Sequence, residues 1–182
     1  LHVPSVAAFG SKGDMKNGAV MNRLSLALGL AILTCMSPVA AISQTVNEPK
    51  LTIVNPSKAA GEIVLSIADI EKLGTTIVKT TTPWHNGVQT FEGVSLEKLA
   101  NSTGMKGTTL VVKALNNYMT EIPFTDLTKF PVILAYKRNG EFMPINDKGP
   151  FFVIYAYDAN PALKSEVYYS RSAWQVKSIA VE

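Results

Sequence analysis

The chain has 182 residues, 47% hydrophobic and 17% charged, with a formal net charge of +3. Beyond residue 43 the balance is 14 Lys plus Arg against 13 Asp plus Glu, and arginine occurs only at Arg138 and Arg171. No basic stripe exists, so nucleic-acid binding has no electrostatic support.

Residues 1–20 carry no pattern and read as an upstream extension. From Met21 a short basic start with Arg23 leads into the apolar run Leu24 to Leu33, and small residues follow at Val39-Ala40-Ala41. Such a run is too short to anchor in a ~30 Å hydrocarbon core. Residues 21–43 are therefore read as a cleaved secretory signal, so that residues 44–182 form a single exported domain. The lone Cys35 falls inside that signal, where Leu33-Thr34 replaces the small residues a lipoprotein would show. The exported part has no disulfide available and must hold by packing alone. Roughly 140 residues rich in Val, Ile, Leu and Phe suffice for one core.

Leu51 to Val54 and Glu62 to Leu65 read as short strands around a loop. Ser66 and Asp69 form the capping pattern of a short helix that stops at Gly74. Thr75 to Thr82 is rich in β-branched residues and predicts a strand. Ser95 caps a helix over Leu96 to Ser102, closed by Gly104. Strands are predicted at Leu110 to Leu115 and at Met119 to Pro123. Val132 to Arg138 and Glu141 to Pro144 flank Asn139-Gly140, a two-residue hairpin signal. Phe151 to Tyr155 reads as a buried strand and Trp174 to Val181 as a last one. The sum is an α+β domain of mixed, mostly antiparallel sheets with short helices.

The ordered series Phe91-Glu92-Gly93-Val94-Ser95-Leu96, Asn117-Tyr118, Leu134-Ala135-Tyr136, Asn139-Gly140, Gly149-Pro150 and Trp174-Gln175 resembles the sulfite-oxidase-type molybdopterin-binding domain family. The resemblance implies that fold, with molybdenum held by a cysteine in the strand and loop before the Gly-Val-x-Leu segment. Here that region, Ile77 to Gly87, has no cysteine. The protonated, hard hydroxyls of Thr80 or Thr82 do not replace a thiolate. Molybdenum is therefore not expected. The Thr81-Thr82-Pro83-Trp84 stretch is similar to a small exported branch of the family. That branch implies pterin binding and partnership with the periplasmic domain of a membrane enzyme that makes or degrades cyclic di-GMP.

A pterin is a flat bicyclic ring with an edge of donors and acceptors, so it needs an aromatic wall and a few aimed polar groups. Trp84, behind the stiff Pro83, reads either as a stacking platform or as a core closure. Thr82 reads as an edge contact or as a bond to its own backbone. Asn117 and Tyr118 match a family turn facing the cofactor, although a tight turn also favours Asn. Arg171, between Ser170 and Ser172, aligns with a family region that implies a pterin and phosphate contact; the other reading is a surface pair with Glu166. Lys148 reaches a ligand from its loop or stays solvated, and Asp158 accepts from a pterin amino group or closes a turn. Trp174 is expected in the core and His85 in an exposed loop.

No catalytic or metal-ligating set emerges. The reading is a non-catalytic periplasmic pterin-binding protein that signals ligand state to a membrane-bound partner. The alternatives are a molybdopterin-dependent oxidoreductase or its subunit, and a ligand-free protein-interaction domain.

Overall fold

The computed structural model describes residues 48–56 and 61–182. The upstream extension and the signal segment lie outside the described residues. Two five-stranded sheets carry the fold. The first runs β2 (Glu62–Ser66), β1 (Lys50–Val54), β10 (Val176–Val181), β5 (Thr109–Ala114), β6 (Met119–Pro123). Only the β1–β10 pair in it is parallel. The second sheet runs β3 (Thr76–Thr82), β4 (His85–Ser95), β7 (Val132–Arg138), β8 (Glu141–Phe142). A further strand, β9 (Phe152–Tyr155), pairs with the first half of β7. This is the α+β arrangement expected from the sequence.

The centre of the second sheet, β7 and β9, is buried on both faces. Along β7, Val132, Leu134 and Tyr136 enter the larger core, while Ile133 and Ala135 enter a smaller one with Val78, Phe91, Met143, Phe152 and Ile154. Double burial explains why Phe151 to Tyr155 is apolar without alternation.

Four short helices join the strands. Helix α1 (Ile67–Lys72) begins at the predicted capping box: the Ser66 hydroxyl accepts from the Asp69 amide while the Asp69 carboxylate accepts from the Ser66 amide. The Ser66 hydroxyl bond and Lys72 lower the Asp69 pKa to about 2. Helix α2 (Leu96–Thr103) ends at Gly104, whose φ of 70° is the left-handed closure favoured at a C-terminus. At the β7–β8 turn, Asn139 and Gly140 take φ values of 53° and 86°, the two positive angles of a type I′ hairpin.

Helices α3 (Phe124–Lys129) and α4 (Glu166–Arg171) are absent from the sequence reading, and neither has a side-chain hydrogen bond at its cap. Both are six residues long and owe their form to packing more than to local signals. The sequence also places His85 to Gly87 in a loop, whereas β4 begins at His85 because the β3–β4 hairpin turns tightly at Pro83-Trp84.

Gly93 sits where β4 crosses β7. A Cβ there would lie 2.2 Å from the Leu134 carbonyl oxygen and 2.6 Å from the Ala135 Cα, both backbone atoms. Gly93→Ala is expected to destabilise the fold by about 3 kcal/mol. The shift of its urea midpoint against wild type measures this.

Candidate functional site

Three elements from both sheets converge on one cavity. The β3–β4 turn supplies Trp84, the β5–β6 turn supplies Asn116 and Tyr118, and α4 with the segment after it supplies Glu166, Tyr169, Ser170, Ser172 and Trp174. The cavity has a volume of about 290 Å³, near the lower end of the ~300–1,000 Å³ typical of small-molecule pockets.

Trp84 is half-buried and fixed by rings that meet it at steep angles. Its centroid lies 5.3 Å from Phe152, 5.9 Å from Tyr169 and 5.8 Å from Trp174, with interplanar angles of 59°, 77° and 68°. Such tilted contacts suit the quadrupoles of the rings and do not cover an indole face by parallel stacking. Trp174, expected in the core, is also half-buried and lines the cavity, because it lies just before β10 and its isolated β-bridge to Phe152 holds it at the cavity wall.

The polar part of the lining is small. Asn116 Oδ1 accepts from the Tyr118 amide at 3.0 Å, which orients the side chain and leaves its NH2 donors without a partner among the described residues. The Tyr118 hydroxyl donates to the Ser170 carbonyl at 2.7 Å, tying the β5–β6 turn to α4. The Ser172 hydroxyl donates to the Tyr168 carbonyl at 2.9 Å and accepts from the Tyr157 hydroxyl. Burial raises the Tyr157 pKa, so its phenol stays protonated.

Of the seven residues singled out from the sequence, Trp84 and Tyr118 line this cavity. The other five are engaged elsewhere. Asn117 takes the positive φ of the turn, 66°, and its Oδ1 accepts from Lys177 at 3.1 Å. Arg171 turns away and donates to Asp126 at 2.8 Å, instead of pairing with Glu166. Asp126 is buried and also accepts from the Tyr155 hydroxyl at 2.9 Å, so the guanidinium balances an enclosed carboxylate. The Tyr155 pKa is raised by burial and by the neighbouring Asp126 charge. Asp158 accepts from the Thr81 amide and hydroxyl at 2.6 and 2.7 Å and pairs with Lys164 at 2.6 Å. The Lys164 contact and then the Thr81 bonds hold its carboxyl well below the usual range. Lys148 places its ammonium 4.6 Å from the Trp174 ring centre.

Thr82 and His85 form a separate cluster. Arg138 donates to His85 Nε2, so the ring proton resides on Nδ1, which donates to the Thr82 hydroxyl at 3.1 Å. Arg138 is in turn held by Asp147 at 2.6 Å. His85 was expected to be exposed, yet its side chain is only 11% exposed, because it packs between Phe91 and Phe152 at the start of β4. Thr80 is fully buried, donating to the Thr81 carbonyl and accepting from the Asp158 amide.

The sequence profile described as the oxidoreductase molybdopterin binding domain matches residues 59–155. The chain belongs to that family. The matched stretch contains β2 to β9, hence Trp84, Asn116 and Tyr118. It ends before α4 and Trp174, so five of the eight cavity-lining residues lie beyond it. No curated protein matches the chain.

Members of a molybdopterin-binding family need groups that grip the metal and the pterin phosphate. The described residues contain no cysteine, and both threonines of the expected ligand region are hydrogen-bonded within the fold. Among the described residues no group of three His, Cys, Asp or Glu is placed to hold a metal ion, and the cavity lining carries neither Lys nor Arg. These donors do not fit molybdenum or a phosphate tail.

Asn116, Glu166, Tyr169 and Trp174 escaped the sequence reading as cavity residues. The one available signal was aromatic density, with Tyr168, Tyr169 and Trp174 within seven positions.

Two measurements follow from this geometry. Burial first, and the Arg138 charge second, lower the His85 pKa from 6.5 against an opposing pull from Asp147. Folding therefore keeps His85 neutral, and the unfolded chain binds the extra proton. The contribution is fully present above 6.5 and is lost as pH falls from there toward the lowered value. The urea midpoint should drop between neutral and mildly acidic pH, and His85→Gln should flatten that slope. Arg171→Ala should cost about 2 kcal/mol by leaving Asp126 without its cation, read by thermal melting, with little change in the shape of the cavity.

Proposed function

We propose that this protein is a non-catalytic, exported pterin-binding protein, with its ligand held in the aromatic cavity. The supporting observation is a wall made by Trp84, Trp174, Tyr118 and Tyr169 around a space of about 290 Å³, with a few polar groups at its rim. A flat bicyclic ring is held by stacking on such a wall and oriented by aimed hydrogen bonds at its edge. The missing thiolate and the absence of a cation from the lining favour a metal-free, unphosphorylated pterin over the cofactor for which the family is named.

In this reading the protein works in the periplasm and reports ligand state to the periplasmic domain of a membrane-bound enzyme of cyclic di-GMP turnover. Transmission requires that pterin bind one conformation better than another. The cavity is suited to that, because a ligand in it bridges the β3–β4 turn, the β5–β6 turn and α4, which otherwise meet through few bonds. One bridge is the Tyr118 hydroxyl on the Ser170 carbonyl.

Both tryptophans of the chain line the cavity, so their fluorescence reads the site directly. Titration with oxidised and reduced pterins is expected to give saturable quenching. Affinity should fall by about tenfold or more in Trp84→Ala, given ~1–3 kcal/mol for a lost aromatic stack. Elemental analysis of the same sample is expected to find no stoichiometric molybdenum. No quenching by any pterin, or one molybdenum per chain, would sink the reading.

A further inference from the structure

The cavity lining contains one charged side chain, and it is an acid. Glu166 opens α4 at the cavity rim, and its carboxylate has no hydrogen-bond or ion-pair partner among the described residues. Three aspartates of the fold differ from it. Asp126 is bonded to Arg171 and Tyr155, Asp147 to Arg138, and Asp158 to Lys164 and Thr81. A free carboxylate beside four aromatic rings is an acceptor pair awaiting donors. Asn116, on the β5–β6 turn, adds a donor, because its oxygen is already occupied by the Tyr118 amide and its NH2 group has no partner among the described residues.

The lining therefore offers two acceptors on one carboxylate and one amide donor. The 2-amino-4-oxo edge of a pterin carries the complement in contiguous order: an exocyclic amino group, a ring N–H and a carbonyl oxygen. Two parallel N–H bonds to a carboxylate are charge-assisted and geometrically specific. A dioxo ring such as lumazine has a carbonyl where the pterin has its amino group, so one carboxylate oxygen would face another acceptor.

We propose that Glu166 is the specificity-determining residue of the cavity: its carboxylate takes the amino group and ring N–H of a 2-amino-4-oxo heterocycle, while Asn116 donates to the carbonyl. The inference rests on the pterin reading for the ring system but names the edge that is recognised. Guanine bears the same edge on a smaller ring, so purine and pteridine sources of this chemistry are separated by experiment.

The test is calorimetric titration of the purified protein with pterin, lumazine and guanine at neutral pH, using wild type, Glu166→Gln and Trp84→Ala. Glu166 is exposed and unpartnered, so Glu166→Gln should melt at the wild-type temperature. Wild type is expected to prefer pterin over lumazine by about 10- to 100-fold, as for a site whose charged acceptor is left unpaired by the analogue. Glutamine presents one acceptor and one donor, which match the lumazine edge, so Glu166→Gln should weaken pterin and erase or reverse the preference. Trp84→Ala should weaken pterin and lumazine alike, because it removes the stacking face and leaves the edge contact.

Equal binding of pterin and lumazine by wild type overturns the assignment to Glu166 and leaves the pterin reading standing. So does a Glu166→Gln variant with an unchanged preference. Guanine bound more tightly than pterin, with its affinity lost in Glu166→Gln, supports the edge assignment and moves the ligand to the purines. Absence of binding by all three rings overturns both.

Discussion

Four aromatic rings, Phe152, Tyr157, Tyr169 and Trp174, meet the indole of Trp84 at 5.3 to 6.3 Å and at 59° to 77°. Trp84 also packs against both cores, so the point where they meet is the wall of the cavity. The constraint is steric as much as attractive. A side chain wedged between steep neighbours has one rotamer available, and its ring is pre-positioned before any ligand arrives. The β3–β4 turn is held by that fit, which it shares with Tyr169 of α4 and with Trp174.

Several charged groups of the domain are arranged in pairs. Arg138 serves Asp147 and His85, Arg171 serves the buried Asp126, and Lys164 serves Asp158. Each pair joins two segments of the chain, and none of these cations lines the cavity. The result is a member of a molybdopterin-binding family whose cavity retains aromatic surface but lacks a thiolate among its described residues and any positive charge in its lining. Fold membership and cofactor chemistry are separable because the first lives in the sheets and the second in a few side chains at their ends.

Where local chemistry suffices, the sequence was legible. Ser66 and Asp69 form a cap through neighbours three residues apart, Gly104 closes α2 with its left-handed φ, and Asn139-Gly140 turns a hairpin. Met119 to Pro123 has the bounds expected of it. The missed helices α3 and α4 lack such signals and depend on contacts with distant strands. The site residues divide the same way. Trp84 and Tyr118 were visible as aromatics at turn positions. Glu166 was legible only as a surface partner for Arg171, because nothing in six residues of sequence says which face of a short helix meets a cavity.

By itself the sequence determined the fold class, the order of most strands, the family and the lack of a cysteine after residue 43. The fold class and strand order follow from periodicity and turn chemistry, which act over a few residues, and the family from the ordered series of motifs that resembles it. The tertiary structure alone decided that Arg171 faces Asp126, that His85 is packed against Phe91 and Phe152, and that Trp174 and Tyr118 line one cavity. Those outcomes depend on which distant groups satisfy a buried charge or fill a gap between rings. That competition is settled only when the two sheets and their connecting helices pack together.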